Sequence, residues 1–338
     1  MKKLLAVMLS MVMVLALASC GGGAAKSGSG APVDGSGSGE ASGDASYTIG
    51  VLYLDQEVLL SEATAGCQAY AADHPNVKLI EYNADKDVNT QLKQCENLIA
   101  QEVDAIALTP VDGAGCDQII NACKEAGIPL ICFHARVEGA PITNVLFDNV
   151  GFGKMQVDYA MKLFEQNGGD MNSTINVGIV TGKLDNQNAV ERCQGYEEEL
   201  KNFENATVVD QQVGSWNRDD AMAIAENWIT SGRDIDIILS NNDAMAIGIS
   251  LAYANAGVQR PIIVGVGGTE EGLTAILNGD FDGTVFQPAY QNGYDALDYT
   301  VKYLNGEQLD ESYVTEGVLV TPDEAQQTLD DLKAMLNG

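Results

Sequence analysis

The chain is predicted to fold as α/β, with two doubly wound parallel-sheet lobes behind a signal sequence and a flexible linker. Three observations predict this. Ten strand-like apolar runs alternate with helical stretches between Tyr47 and Phe286. Several of these runs are continuous Val/Ile/Leu segments rather than alternating ones, as strands covered on both faces must be. After five strand–helix units the pattern restarts near Gly151, so a second domain of the same kind follows, with right-handed crossovers in each.

The first element is a leader. Lys2 and Lys3 precede a stretch, Leu4 to Ala18, that is apolar except for Ser10. It is shorter than the roughly 20 residues a membrane span needs and has the form of a secretory signal. Leu17-Ala18-Ser19-Cys20 resembles the bacterial lipobox, which implies cleavage after residue 19 and diacylation of Cys20. Two or more acyl chains give stable anchoring where one would be marginal. Residues 20–46 are almost entirely Gly, Ser and Ala, with single charges at Lys26, Asp34, Glu40 and Asp44. Such a segment cannot bury apolar surface and reads as a flexible tether.

The predicted strands of the first lobe are 47–54, 77–82, 105–109, 129–133 and 145–147; those of the second are 176–181, 207–212, 236–240, 262–266 and 283–286. Helical periodicity fills the gaps. Tyr290, Tyr294, Leu297, Val301 and Leu304 step by four and three and define one helix face. Ligands of doubly wound sheets bind outside the carboxyl ends of the strands. Asp55 to Glu57, Thr109, His134 to Arg136, Asp148, Trp216, Asn241 to Asp243, Gly267 and Gln287 occupy those positions. They come from both halves, so the site is expected between two lobes.

Composition narrows the function. A formal net charge of −30 argues against nucleic-acid binding, which needs a basic surface, and against charge-driven attachment to anionic lipid. Six cysteines follow Cys20, without a Cys-x-x-Cys pair, and the chain has two histidines, so no metal pattern is present. Export permits disulfides, and whether these six pair is open. The dinucleotide fingerprint fails at Glu270, and the phosphate-loop pattern fails at Leu184 and Val177; no cofactor is expected. Asp85, Asp87, Asn89, Gln91 and Glu96 fit a calcium-loop frame except that Thr90 stands where Gly is needed. They read instead as the capped start of a helix. His134 has no serine or cysteine nucleophile to activate, so no enzyme chemistry is expected.

Three segments carry a resemblance. Asp104-Ala-Ile-Ala-Leu-Thr-Pro-Val-Asp112, Asn242-Asp-Ala-Met-Ala-Ile-Gly248 and Gly265-Val-Gly-Gly-Thr-Glu-Glu-Gly272 are similar to signature stretches of the ribose/galactose-type periplasmic sugar-binding proteins. Over residues 47 to about 321 the chain resembles that family, of the type I periplasmic-binding-protein-like fold. The resemblance implies two lobes joined by a multi-strand hinge: a first lobe of 47–149 plus about 288–318, and a second of 150–287 plus about 319–338. It implies a monomeric lipoprotein that captures a carbohydrate or sugar-like small molecule and passes it to an ABC permease at the outer face of the cell membrane. A sensor that presents ligand occupancy to a membrane receptor is the alternative.

Carried over position by position, the resemblance makes Asn242 and Gln287 ligand-binding residues. Trp216 is either an aromatic that packs on the ligand or a lobe-surface anchor. Arg192 either grips the ligand or holds a helix. Glu57, Thr109, His134, Arg136 and Gly267 complete the candidate set, Arg136 being equally readable as a solvated loop residue. The departures are informative. Gly267 stands where the family usually has an Asp, Val190 where it has an Arg, and Leu59 and Leu60 replace an aromatic pair. Charged bidentate grips are selective ones, so this pocket is not expected to be a ribose pocket.

Overall fold

Apolar strands that are buried along their whole length need helices on both faces, and the order of elements supplies them. The computed structural model describes residues 46–112, 116–139 and 142–337. The expected signal (1–19), the lipidation site Cys20 and the tether up to residue 45 lie outside the described residues. The chain runs β1 (Tyr47–Tyr53), α1 (Val58–Asp73), β2 (Val77–Asn83), α2 (Val88–Ala100), β3 (Ala105–Leu108), α3 (Cys116–Ala126), β4 (Leu130–Phe133) and β5 (Thr143–Phe147). A second series follows: α4 (Asn149–Gln166), β6 (Ile175–Thr181), α5 (Gln187–Leu200), β7 (Ala206–Val213), α6 (Arg218–Thr230), β8 (Ile237–Ser240), α7 (Asp243–Ala256), β9 (Ile262–Gly267), α8 (Glu270–Asn278) and β10 (Gly283–Phe286). The chain ends with α9 (Ala289–Leu304), β11 (Ser312–Thr315), β12 (Val318–Val320) and α10 (Pro322–Asn337).

The strands form two six-stranded sheets, ordered β11-β5-β4-β3-β1-β2 and β12-β10-β9-β8-β6-β7. All pairings are parallel except that of β12 with β10. The ten predicted strands are all present. The two additional ones, β11 and β12, have only four and three residues, and the apolar run of β12, Val318-Leu319-Val320, is too short to mark a strand by itself. Each closes one edge of a sheet, so the chain passes between the sheets after β5, after β10 and after β11. These are the strands of the hinge. In each sheet the order reverses beside the first strand of its series, between β1 and β3 and between β6 and β8. The loops after those strands diverge there and leave a crevice.

Helix packing explains one departure from the sequence reading. In α9 the buried residues are Ala289, Asn292, Gly293, Ala296, Leu297 and Thr300; Tyr290, Tyr294, Val301 and Leu304 lie at the margins of that face, half-buried. The cause is close backbone approach to α1. A Cβ at Gly66 would sit 1.9 Å from the Tyr290 carbonyl oxygen, and one at Gly293 would sit 2.0 Å from that of Ala63. Large residues are thereby pushed to the flanks. In the second lobe Gly153 and Gly195 do the same for α4 and α5, with 2.3 and 2.2 Å to the facing carbonyls. Asp87 caps α2 by accepting from the Thr90 amide at 2.6 Å. All six cysteines after Cys20 are free and buried, with Cys95 and Cys123 sulfurs 3.6 Å apart.

Candidate functional site

The second lobe's contribution centres on Arg192, which α5 holds 3% exposed. Its guanidinium donates three hydrogen bonds, all to neutral acceptors. Nε reaches Asn149 Oδ1 at 3.0 Å, Nη1 the carbonyl of Asn241, and Nη2 Gln287 Oε1 at 2.7 Å. It forms no salt bridge among the described residues. Burial pushes its pKa down to about 10, which leaves it charged at neutral pH. Two of its five N–H groups are unspent. The cation also lies 5.5 Å from the ring centroid of Trp216 and 5.9 Å from that of Phe152, within cation–π range.

Trp216 is held by unusual backbone. Ser215 and Trp216 have φ of 54° and 65°, left-handed values that non-glycine residues rarely adopt. Asn242 supports that turn: its Nδ2 donates to the Trp216 carbonyl at 3.2 Å, while its Oδ1 caps α7 by accepting from Met245 N at 2.9 Å. Gly182 makes room for the indole, since a Cβ there would lie 2.1 Å from two ring atoms. Gly182 therefore serves ring packing rather than phosphate binding.

Gly267 and Gln287 stand side by side at the ends of β9 and β10, with Gln287 N donating to the Gly267 carbonyl at 2.9 Å. Gln287 is 1% exposed, and its Nε2 makes no hydrogen bond among the described residues. Gly267 has φ 144°, and a Cβ on it would lie 2.9 Å from Asp243 Oδ2. That carboxylate is fully engaged: it accepts from Gly268 N at 2.7 Å, Thr269 N at 3.1 Å, the Thr269 hydroxyl at 3.5 Å and the Thr284 hydroxyl at 2.6 Å. An Asp at 267 is thus excluded by backbone and by a neighbouring negative charge, not merely absent.

His134 brings the first lobe to the same cluster. It leaves β4 with φ 70°. Its amide donates to the Val145 carbonyl at 3.0 Å and to Asn292 Oδ1 at 3.1 Å, and its ring meets Phe147 edge-on at 5.4 Å. Nδ1 is buried without a hydrogen-bond partner. Burial, with Arg192 adding to it, holds the imidazole pKa down at about 4, so the ring is neutral at physiological pH. The His134 carbonyl accepts from Asn188 Nδ2 of α5 at 3.2 Å. Asn188 Oδ1 in turn accepts from Asn149 Nδ2 at 3.2 Å, so a chain of side-chain amides links Arg192 to His134 across the lobes.

The remaining sequence candidates are placed differently. Thr109 is fully buried; its hydroxyl accepts from Leu54 N at 2.8 Å and its carbonyl from Gln91 Nε2 at 2.9 Å, which ties β3 to β1. Glu57 is exposed and ion-paired with Lys86, whose Nζ also lies 3.3 Å from Asp55. Arg136 is half-buried with no hydrogen bond or salt bridge among the described residues. Sequence reasoning did not single out Glu62, Lys86, Asn149, Asn188 or Asn292. Of these only Glu62 left a signal, as a carboxylate on an otherwise small and apolar face of α1. A hollow of ≈ 500 Å³ lies elsewhere, between β7 and α6. Its polar groups are mutually paired, with Asp210 accepting from Trp228 Nε1 at 2.8 Å and facing Arg233 at 3.4 Å.

Two sheets, each with a switch point beside its first strand, joined by three connections and sharing one polar cluster, describe a two-lobed binding protein. The chain belongs to the periplasmic binding protein family, whose domain matches residues 51–308. A xylitol-binding protein of Mycolicibacterium smegmatis is 31% identical over 284 residues, covering 83% of this chain and 78% of that protein. A putative rhizopine-binding protein of Rhizobium meliloti is 29% identical over 265 residues, covering 76% and 84%. Among solved structures, an ABC transporter solute binding protein from Bacillus halodurans C-125 with bound myo-inositol matches with a TM-score of 0.77 at 29% identity, covering 86% of this chain and 99% of that one. The chain is therefore a binding protein and not an enzyme, of an extracytoplasmic family.

Proposed function

We propose that the cleft captures a sugar or sugar-like polyol and that the loaded protein delivers it to an ABC import permease. The observation that carries this reading is the set of unspent polar groups where the lobes meet: two N–H groups of buried Arg192, Gln287 Nε2 and His134 Nδ1. Buried polar groups without partners are costly, and a polyhydroxylated ligand supplies donors and acceptors to all of them. Trp216 offers a flat apolar surface beside them, suited to a ring's C–H face. Asn242 retains one Nδ2–H, and Arg136 makes no hydrogen bond or salt bridge among the described residues. The xylitol-, rhizopine- and inositol-linked relatives fit a polyol or sugar cargo. The ligand biases the lobes toward contact because it touches both. Acylated Cys20 and the tether to residue 46 keep a monomeric receptor at the outer face of the membrane, within reach of its permease.

Binding raises stability by mass action. A thermal-shift screen with xylitol, myo-inositol, D-ribose, D-galactose, nucleosides and amino sugars is expected to give at least one polyol or sugar that raises the melting temperature. A panel that shifts nothing overturns the sugar-class reading.

A further inference from the structure

Glu62 is the buried carboxyl that none of the groups above uses. It is 3% exposed on α1 and makes no hydrogen bond among the described residues. Its helix neighbours Leu59 and Ala63 belong to the apolar cluster that also holds Phe152, Val266 and Val285 of the second lobe. Glu62 therefore lies beside an apolar cluster to which both lobes contribute. The charge that bears on it is Asp243, from α7 of the opposite lobe. Asp243 Oδ2 in turn lies 2.9 Å from the position that a Gly267 side chain would occupy. Glu62 is thus a buried first-lobe carboxyl that feels the charge of Asp243, the carboxylate that borders the space Gly267 leaves open in the second lobe.

We propose that Glu62 is a specificity-determining ligand contact of the first lobe, and that its carboxyl exchanges hydrogen bonds with a hydroxyl of an uncharged polyol held from the other lobe by Arg192. This rests on the binding reading above and narrows it. Asp243 cannot serve instead, because four donors already saturate it. The charge balance of the seam selects the ligand class. The Asp243 charge bears on Arg192, and burial keeps His134 neutral. Burial, with Asp243 adding to it, raises the Glu62 pKa to about 8, so the carboxyl is protonated at neutral pH. A neutral carboxyl both donates and accepts, which matches a hydroxyl. A hydroxyl can accept from Arg192 and exchange with a neutral Glu62 without adding a charge beside Asp243.

Isothermal titration of the full chain decides it, with whichever of xylitol, myo-inositol or D-ribose the wild type binds best. Glu62→Ala is expected to weaken binding about 10- to 100-fold, the scale of a lost buried polar contact. Glu62→Gln, which keeps a donor and an acceptor, is expected to stay within about threefold at pH 7. Wild-type affinity is expected to fall as pH rises above 8, and Glu62→Gln to abolish that fall. Unchanged affinity in Glu62→Ala, or an alkaline loss that persists in Glu62→Gln, overturns the role of Glu62 while leaving the binding reading in place. D-glucosamine binding more tightly than D-glucose overturns the uncharged class. If neither these probes nor any other polyol or sugar of the thermal-shift panel binds the wild type, the function reading falls and this inference with it. Thermal unfolding of each variant controls for folding.

Discussion

Asn188 Nδ2 donates to the backbone carbonyl of His134 at 3.2 Å, a hydrogen bond that joins a helix of one lobe to a strand end of the other. It is the last link of a relay that begins at Arg192 Nε and passes through Asn149. The relay fixes two things at once: the orientation of the buried cation and the approach of His134 toward it. Only the second depends on the lobes being in contact, because Asn188 Nδ2 to the His134 carbonyl is the bond that crosses between them.

Asn188→Ala removes the cross-lobe link without touching either lobe's core. Its expected effect is a shift toward separated lobes and a loss of ligand affinity of about tenfold or less, the net scale of one hydrogen bond. Small-angle scattering of the ligand-free variant is expected to give a larger radius of gyration than wild type. Equal radii and equal affinity would show that the bond plays no part in lobe contact.

Arg192→Lys keeps the charge but cannot reach Asn149, Asn241 and Gln287 together, since an ammonium on a flexible stem lacks the planar fork. It leaves buried acceptors unsatisfied and is expected to cost roughly 2–4 kcal/mol of stability. Urea denaturation measures this. A midpoint unchanged from wild type would refute the central position given to the guanidinium.

His134 gives a pH dependence with a defined sign. Its folded pKa of about 4 lies below the unfolded value of about 6.5. Its stabilising contribution is therefore complete above about pH 6.5 and is lost as pH falls toward 4, by at most about 1.4 kcal/mol per pH unit. His134→Asn, which tolerates the left-handed backbone, is expected to lose less stability than wild type between pH 6.5 and 4.5. Parallel stability curves would contradict a buried neutral imidazole.

Gly267→Ala combines a φ of 144° with a Cβ placed 2.9 Å from Asp243 Oδ2. The expected cost is about 1–3 kcal/mol from backbone strain. Gly267→Asp adds like-charge repulsion and is expected to be worse on both stability and binding. A rise in ligand affinity on Gly267→Asp would mean that the loop can relax to accept the side chain.

Much of the fold was legible because it rests on local pattern. Continuous apolar runs mark β3, β4, β8 and β9, and each is buried along its whole length. β11 and β12 were not legible, because their place is set by the sheet edges they close. The stripe of α9 was legible as periodicity, but its rotation toward Ala289, Gly293 and Ala296 follows from the backbone of α1.

The candidate site divides the same way. His134, Trp216, Asn242, Gly267 and Gln287 could be picked out because strand ends and signature stretches are readable along one chain. Glu57 and Thr109 were picked out by the same rule, yet one pairs with Lys86 and the other ties two strands together. By itself the sequence determined which segments become strands and helices and which polar residues stand at strand ends. Only the tertiary structure decided which of those polar groups keep unspent hydrogen-bonding capacity. It alone brought Asn149 and Asn188 between Arg192 and His134, and buried Glu62 where the charge of Asp243 bears on it. Those pairings join residues far apart in the chain, and long-range contact and desolvation leave no trace in local periodicity.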